Sequence, residues 1–133
     1  MIVVDTNLIA CLYVTSTHSP MAEKALRKDT HWTAPLLWRS ELRNVMARYL
    51  RKKLLSLEDA QHIMEEATRL MQGREYEVTS LQVLNLVAAS NCTAYDCEFV
   101  ALAKDLGVPL VTIDTQILDQ FPDVAISLET FVT

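Results

Sequence analysis

The sequence is poor in the residues that mark several classes of protein, beginning with glycine. Gly73 and Gly107 are the only glycines in 133 residues, which excludes a glycine-rich phosphate-binding loop and indicates regular elements joined by short turns. The three cysteines, Cys11, Cys92 and Cys97, include no C-x-x-C pair. We therefore interpret them as reduced, mostly buried thiols of a cytoplasmic protein rather than as a disulfide framework or a zinc site.

The chain also lacks an excess of basic residues and a long apolar run. A net charge of −5 argues against simple electrostatic coating of nucleic acid, but it allows a nuclease, because a bound cation offsets clustered acids. No apolar stretch reaches about 18 residues, so no membrane-spanning segment is expected. Asp5 interrupts the first apolar run too early for a signal peptide. The length suits one domain covering residues 1–133.

What the chain does have is an alternation of short β-branched runs with helical patterns. The apolar runs are continuous, which is typical of a parallel sheet covered by helices on both faces, an α/β fold. The 81–91 segment, "LQVLNLVAASN", is apolar enough to predict a buried helix. The predicted strands are 2–5, 31–35, 75–80, 108–114 and 123–127, and the predicted helices are 19–29, 36–53, 56–71, 81–91 and 93–107.

Four acidic residues fall where such a sheet carries its ligand site. Asp5 ends the first strand and Asp114 ends the strand "VPLVTID", so parallel pairing would place both carboxylates at one edge of the sheet. Asp96 lies in the first turn of a predicted helix and Glu41 in the second turn of another. We therefore expect the four acids to converge from separate parts of the chain.

Each acid also has a simpler interpretation. Asp5 can cap the helix that follows it, Asp114 can start a turn, and Asp96 follows Thr93 at a T-x-x-D capping spacing. Taken together, however, clustered carboxylates repel unless a proton or a cation lies between them. Oxygen donors without nearby histidines favour Mg²⁺ or Mn²⁺ over Zn²⁺. An aspartyl-nucleophile phosphatase would need a second aspartate at position 7, which is Asn7.

The helix that carries Glu41 is the most basic part of the chain. Arg48 and Lys52 fall at nearly the same azimuth as Glu41, and Arg43 lies between Glu41 and Arg48 in sequence. These three side chains are candidates for guiding an RNA backbone towards a metal. The alternative is a solvated face whose cations complement the C-terminal end of the helix dipole.

The motifs around the acids resemble those of PIN-domain nucleases. "VVDTN", "WRSELRNV", "TAYDCEFVALA" and "LVTID" resemble above all the VapC-type ribonuclease toxins of bacterial toxin–antitoxin pairs, and the likeness covers essentially the whole chain. The resemblance implies a three-layer α/β sandwich with a central parallel sheet. It implies that one or two Mg²⁺ or Mn²⁺ ions are bound by the four family acids, which match Asp5, Glu41, Asp96 and Asp114.

The resemblance also assigns supporting residues. Thr112, Asn7 and Asn44 match polar positions that orient the metal ligands in the family. Two positions depart from the family pattern: Cys97 replaces a usual alanine, and Gln116 stands where a basic residue often follows the last acid. The second departure concerns a phosphate contact and leaves the metal site unaffected.

The resemblance further implies a substrate and partners. Single-stranded or loop RNA would be hydrolysed by water, leaving 5′-phosphate and 3′-hydroxyl ends. A VapB-type antitoxin protein would cover the acidic groove, and the chain would form a homodimer. Two alternatives are a non-toxin PIN nuclease of RNA processing and a catalytically weak PIN scaffold for protein binding. The second would be expected to have lost acids, and this chain keeps all four.

Overall fold

The computed structural model describes residues 1–133 as a five-stranded sheet with eight helices. The strands are β1 (Ile2–Val4), β2 (Trp32–Pro35), β3 (Glu75–Tyr76), β4 (Leu110–Thr112) and β5 (Ala125–Ser127). The helices are α1 (Thr6–Tyr13), α2 (Ser19–Lys28), α3 (Leu37–Arg51), α4 (Leu57–Met71), α5 (Ser80–Ala88), α6 (Ala94–Leu106), α7 (Thr115–Gln120) and α8 (Leu128–Val132).

All five strands run parallel, in the order β3-β2-β1-β4-β5. Between the two central strands, Val3 is paired with Leu110 and Val4 with Val111. The chain order reverses at β1, where one half of the sheet is built outwards through β2 and the other through β4. Crevices at the carboxyl ends of strands form at such a reversal. The predicted α/β architecture with a parallel sheet flanked by helices is confirmed.

The central strands are buried along their whole length, which explains their continuous apolar sequences. Every residue of β1, β2 and β4 is buried, and α6 packs against all three strands. Trp32, the first residue of β2, and Trp38, in α3, are fully buried. A buried side chain of this kind stabilises the fold by roughly 1.5–3 kcal/mol, so the core fixes the strands that carry the candidate acids.

The helix boundaries follow local capping chemistry. Thr93 caps α6 by accepting a hydrogen bond from the Asp96 N–H at 3.1 Å. Ser56 and Asp59 form the expected capping box at the start of α4. Gly107 ends α6 in the left-handed region, at φ +66°, where glycine carries no steric penalty. Helix α2 begins at Ser19, as its predicted range does, and His18 occupies the N-cap position without a side-chain capping hydrogen bond.

The prediction that residues 81–91 form a buried helix is wrong in its burial. Helix α5 forms, but Val83 is its only buried residue, while Leu81 is 72% and Leu84 61% exposed. The helix packs along one face against α6, so Leu81 and Leu84 face outwards while Leu86 is partly buried against the core. An apolar composition cannot say how many faces of a helix find a partner.

Two short helices, α7 and α8, are absent from the predicted elements, and α1 was expected only as the helix that Asp5 could cap, because each is too short for a helical period to stand out. The cysteines are free and buried, as predicted. None of the helices combines the length and the hydropathy that a bilayer crossing requires.

Candidate active site

A cleft of ≈ 380 Å³ opens at the carboxyl edge of β1 and β4. Its wall is formed by residues from five separate parts of the chain: the start of α1, helix α3, the start of α6, the β4–α7 junction and α7. Seven of the residues singled out in the sequence line this cleft, namely Asp5, Asn7, Glu41, Asn44, Arg48, Asp96 and Asp114.

Asp5 is both a helix cap and a member of the cleft. Its Oδ1 accepts a hydrogen bond from the Leu8 N–H at 3.2 Å, which caps α1. Its Oδ2 accepts a hydrogen bond from the Thr112 hydroxyl. Asp5 is only 6% exposed. The capping interpretation and the active-site interpretation are therefore compatible, because the cap holds the carboxylate in one orientation at the floor of the cleft.

Thr112, the last residue of β4, connects two of the acids. Its hydroxyl donates to Asp5 and accepts from the Asp114 N–H at 3.0 Å. Asp114 in turn caps α7, because its Oδ1 accepts from the N–H groups of Gln116 and Ile117 at 2.8 and 3.1 Å. The other carboxylate oxygen of Asp114 accepts no hydrogen bond from the protein.

Glu41 is held by a residue that the sequence did not single out. The Thr6 hydroxyl donates to Glu41 Oε1 at 2.7 Å, across 35 positions of sequence, and leaves Oε2 free. Thr6 is buried and follows Asp5 directly. Its place in "VVDTN" was the available signal, but only the packing of α1 against α3 brings it to Glu41.

The cleft gathers four acids, and Arg48, the one basic residue in its lining, forms no ion pair with any of them. The structure contains three ion pairs, Met1–Asp29, Arg39–Glu75 and Arg69–Glu66, and none includes a cleft acid. Burial raises the pKa of Asp5, hydrogen bonds from Thr112 and Leu8 lower it, and the charges of Asp114 and Glu41 add a smaller increase, so that the pKa lies at about 6.

The pKa values of two other cleft acids are raised as well. Burial raises the pKa of Glu41, and the charge of Asp96 adds to this. Burial also raises the pKa of Asp96, with a further contribution from Asp114. Glu98, outside the cleft, has its pKa raised by burial and then by Glu41. The mutual repulsion means that the four acids lie within electrostatic range of one another, although they come from four segments.

The donor set fits a hard divalent cation. All four candidate ligands are carboxylates, and free oxygens remain on Glu41 and Asp114. However, no three Asp, Glu, His or Cys side chains lie close enough together to bind the same ion directly. Mg²⁺ is usually bound through one or two carboxylates and completes its shell with waters and phosphate oxygens. The arrangement therefore suits partly water-mediated coordination.

The three candidate RNA-binding cations are separated by the structure. Arg48 lines the cleft together with the acids. Arg43 lies in a different groove, between α3 and α4, with Met46 and Met64. Lys52 is an exposed residue at the C-terminal cap of α3 and does not line the cleft.

The two departures from the family pattern have structural roles away from the acids. The Gln116 amide donates to the Asn91 carbonyl at 3.0 Å, which ties α7 to the α5–α6 connection. Cys97 is fully buried, with its Sγ 3.9 Å from the Ser90 hydroxyl. Neither side chain lines the cleft.

Sequence reasoning also missed the apolar part of the cleft. Leu37, Val45, Tyr95, Phe99 and Ile117 line it together with the acids. Tyr95 stands next to Asp96 in the quoted motif, but an aromatic residue on a helix is usually part of the core. Its 61% exposure is visible only in the folded chain.

Comparison with known proteins places this fold and cleft in a family. The family model described as "PIN domain" matches residues 2–125. The chain belongs to the PIN-domain family, and the resemblance drawn from its acidic motifs is confirmed.

Within that family, the chain is similar to a VapC protein. It is 30% identical to "Ribonuclease VapC3" of Pyrobaculum aerophilum over 124 residues, which is 91% of this chain and 95% of the relative. The VapC-type likeness that the motifs indicated is therefore confirmed.

Three solved structures share the fold at low sequence identity. The crystal structure of PAE2754 from Pyrobaculum aerophilum has a TM-score of 0.74 and 21% identity, covering 98% of this chain and 92% of that one. FitAcB from Neisseria gonorrhoeae has a TM-score of 0.73 and 20% identity, with 94% and 95% covered. A toxin–antitoxin complex from Klebsiella pneumoniae has a TM-score of 0.69 and 16% identity, with 96% and 98% covered.

Proposed function

We propose that residues 1–133 form a single PIN domain that acts as a metal-dependent endoribonuclease, the toxin of a toxin–antitoxin pair. The observation that carries the proposal is the cleft itself: four carboxylates from four segments line one opening and have no cationic partner. Asp5 is buried and the other three acids are partly buried, and an unpaired cluster of this kind costs stability, so a functional role explains why it is present.

The relatives support the same proposal. The protein that is 30% identical over most of both chains is named a ribonuclease. A structure with the same fold is described as part of a toxin–antitoxin complex. We extend both descriptions to this chain as proposals, because the cleft supplies the acids that such chemistry needs.

The chain's own residues prepare the site for phosphodiester hydrolysis. Asp5 is held from both sides, by the α1 backbone and by Thr112, so it needs no reorganisation to accept a cation. Thr6 fixes one oxygen of Glu41 and leaves the other directed to ligands. Asp114 uses one oxygen for its cap and keeps one free. This preorganisation is what a metal-binding site requires.

When bound, Mg²⁺ or Mn²⁺ supplies a water of lowered pKa and positive charge beside the scissile phosphate. We assign Asp5 and Asp96 as direct ligands, and Glu41 and Asp114 as direct or water-mediated ligands. Asn7, Asn44 and Thr112 orient them. Attack by water rather than by the ribose 2′-hydroxyl leaves a 5′-phosphate and a 3′-hydroxyl.

Glu41→Gln tests the assignment against a matched control, Glu98→Gln. Both glutamates are partly buried and lie within electrostatic range of each other, but only Glu41 lines the cleft. We expect Glu41→Gln to lower the rate of Mn²⁺-dependent cleavage about 100-fold or more, since metal assistance contributes several kcal/mol. Glu98→Gln is expected to stay within a few-fold of wild type. Equal losses in both variants, at equal unfolding temperatures, would overturn the assignment.

Arg48→Gln and Arg43→Gln form a second matched pair, one in the cleft and one outside it. We expect Arg48→Gln to weaken binding of a labelled single-stranded oligoribonucleotide and to reduce the slope of log affinity against log salt by roughly 0.7–1. Arg43→Gln is expected to leave that slope unchanged. Fluorescence anisotropy across a salt series, with Ca²⁺ in place of Mg²⁺, measures both. Identical slopes for the two variants would remove Arg48 from the RNA path.

The partners are part of the same proposal. A VapB-type antitoxin would cover the cleft, where a basic side chain would meet the unpaired acids. We also propose a homodimer, which the two exposed leucines of α5, Leu81 and Leu84, support, because exposed apolar side chains favour association. Light scattering distinguishes that dimer from the 15.0 kDa monomer.

A further inference from the structure

The cleft has an apolar part that phosphate chemistry does not use. A phosphodiester and a hydrated cation need the acids, yet Leu37, Val45, Tyr95 and Phe99 line the same opening. Val45 and Phe99 are buried in the core, so they form a fixed wall. Leu37 and Tyr95 are more exposed. A ligand that binds here therefore has one charged part and one apolar part.

Tyr95 has the position of a stacking surface rather than of a core residue. Tyr95 is 61% exposed, whereas Phe99, one turn later on the same helix, is 2% exposed. Side chains four positions apart lie on one face of a helix, so Phe99 anchors that face and Tyr95 extends it to the cleft mouth. Folding gains little from leaving a tyrosine ring in solvent.

Tyr95 also lies directly beside a candidate ligand. It precedes Asp96, and the two Cα atoms of a trans peptide are 3.80 Å apart. Both side chains line the cleft. A group that rests against the Tyr95 ring is therefore close to the acids, where the phosphate would bind. A nucleobase is similarly close to its own phosphate along the RNA chain.

We propose that this wall holds one unpaired nucleobase against Tyr95, next to the scissile phosphate. The proposal rests on the nuclease function proposed above and adds to its single-stranded RNA substrate one contact, between the base of the nucleotide at the cut and the Tyr95 ring. Every base has a π-face, so such a contact tolerates all four bases. A base inside a duplex cannot present that face, so paired RNA is excluded.

Nuclear magnetic resonance tests the base site without any cleavage. The chain has four tyrosines, so ring-labelled tyrosine gives few signals, and Tyr95→Phe identifies the one from Tyr95. Adenosine 5′-monophosphate and ribose 5-phosphate, each titrated with Mg²⁺, differ only in the base. We expect saturable shifts of the Tyr95 ring with the nucleotide and not with the sugar phosphate. Equal shifts with both, or none with the nucleotide, would overturn the base site and leave the wall for a protein side chain.

A cleavage assay provides the second arm. On a single-stranded oligoribonucleotide we expect Tyr95→Ala to lower kcat/KM about 5- to 150-fold, and Tyr95→Phe to remain near wild type. An abasic nucleotide at the cut should slow wild type by a similar factor and leave Tyr95→Ala unaffected. If the losses caused by Tyr95→Ala and by the abasic nucleotide were additive, they would contradict a contact between the base and Tyr95. If wild type cleaves nothing, the nuclease proposal fails, while the ring shifts still decide whether the base site exists.

Discussion

Asp5→Asn is expected to abolish RNA cleavage and, without added metal at neutral pH, to make the protein more stable. Asparagine keeps the size of the side chain and an oxygen that can accept from the Leu8 N–H. It removes the negative charge that a divalent cation needs. Because metal assistance contributes several kcal/mol to phosphodiester hydrolysis, we expect the rate to fall by about 1,000-fold or more.

The stability gain follows from the buried charge. The pKa of Asp5 is raised, mainly by burial, from 3.8 to about 6, so the folded protein binds this proton more tightly than the unfolded chain does. The stability that the protonated Asp5 carboxyl contributes is therefore fully present below pH 3.8 and is lost as the pH rises through about 6. Asparagine mimics the protonated form at every pH, and we expect it to stabilise the metal-free protein by ~1–3 kcal/mol at neutral pH.

Denaturant unfolding in EDTA measures this gain, and Asp29→Asn provides a control of opposite sign. The pKa of Asp29 is lowered: burial raises it, but hydrogen bonds from the N-terminal ammonium and from the His31 N–H outweigh burial. Its charge therefore stabilises the fold, and its loss should lower stability without changing cleavage. A destabilised Asp5→Asn protein, or one that cleaves at the wild-type rate, would contradict the role given to Asp5.

The second large effect is a link between metal, protons and stability. Mn²⁺ or Mg²⁺ should raise the unfolding free energy of wild type by ~2.7 kcal/mol at a concentration 100 times its Kd. The gain should be smaller at about pH 5 than at about pH 8, because protons compete for carboxylates whose pKa values are raised, as for Asp5, Glu41 and Asp96.

Thermal unfolding with and without metal, at both pH values, measures that link. We expect the metal-free protein to lose stability through the Asp5 carboxyl as the pH rises from about 4 to about 6 and the metal to restore it. In Asp5→Asn the metal-dependent gain should shrink. A gain that is independent of pH and equal in both proteins would mean that the cation binds elsewhere.

The fold was largely predictable because its signals are local. The β-branched runs of β1 and β4 have few alternatives, and Gly107 marks the end of α6 through its left-handed conformation. The convergence of the acids was expected for a similar reason. Residues at the carboxyl ends of parallel strands lie at the same edge of the sheet, however the side chains pack. The positions of Asp5 and Asp114 could therefore be predicted without knowing any side-chain contact.

The other features of the site depend on which faces of the helices pack together, and no local sequence pattern encodes this. Arg43 and Arg48 look alike in sequence, yet only Arg48 lines the cleft, because α4 occupies the other side of α3. Leu81 was expected inside and lies outside, since α5 packs along one face only. The Thr6–Glu41 hydrogen bond joins two helices whose relative position is fixed by the core.

The most direct test of the central claim is the chemistry of the RNA ends. Total RNA would be treated with wild type and with Asp5→Asn, each with Mg²⁺, Mn²⁺ or EDTA, and the new 5′ ends mapped. We expect cleavage that requires metal and is absent with Asp5→Asn. Each cut should produce one fragment with a 3′-hydroxyl end and one with a 5′-phosphate end. Cuts that persist in EDTA and in the variant, or ends with a 2′,3′-cyclic phosphate, would contradict a metal-dependent hydrolysis at this cleft.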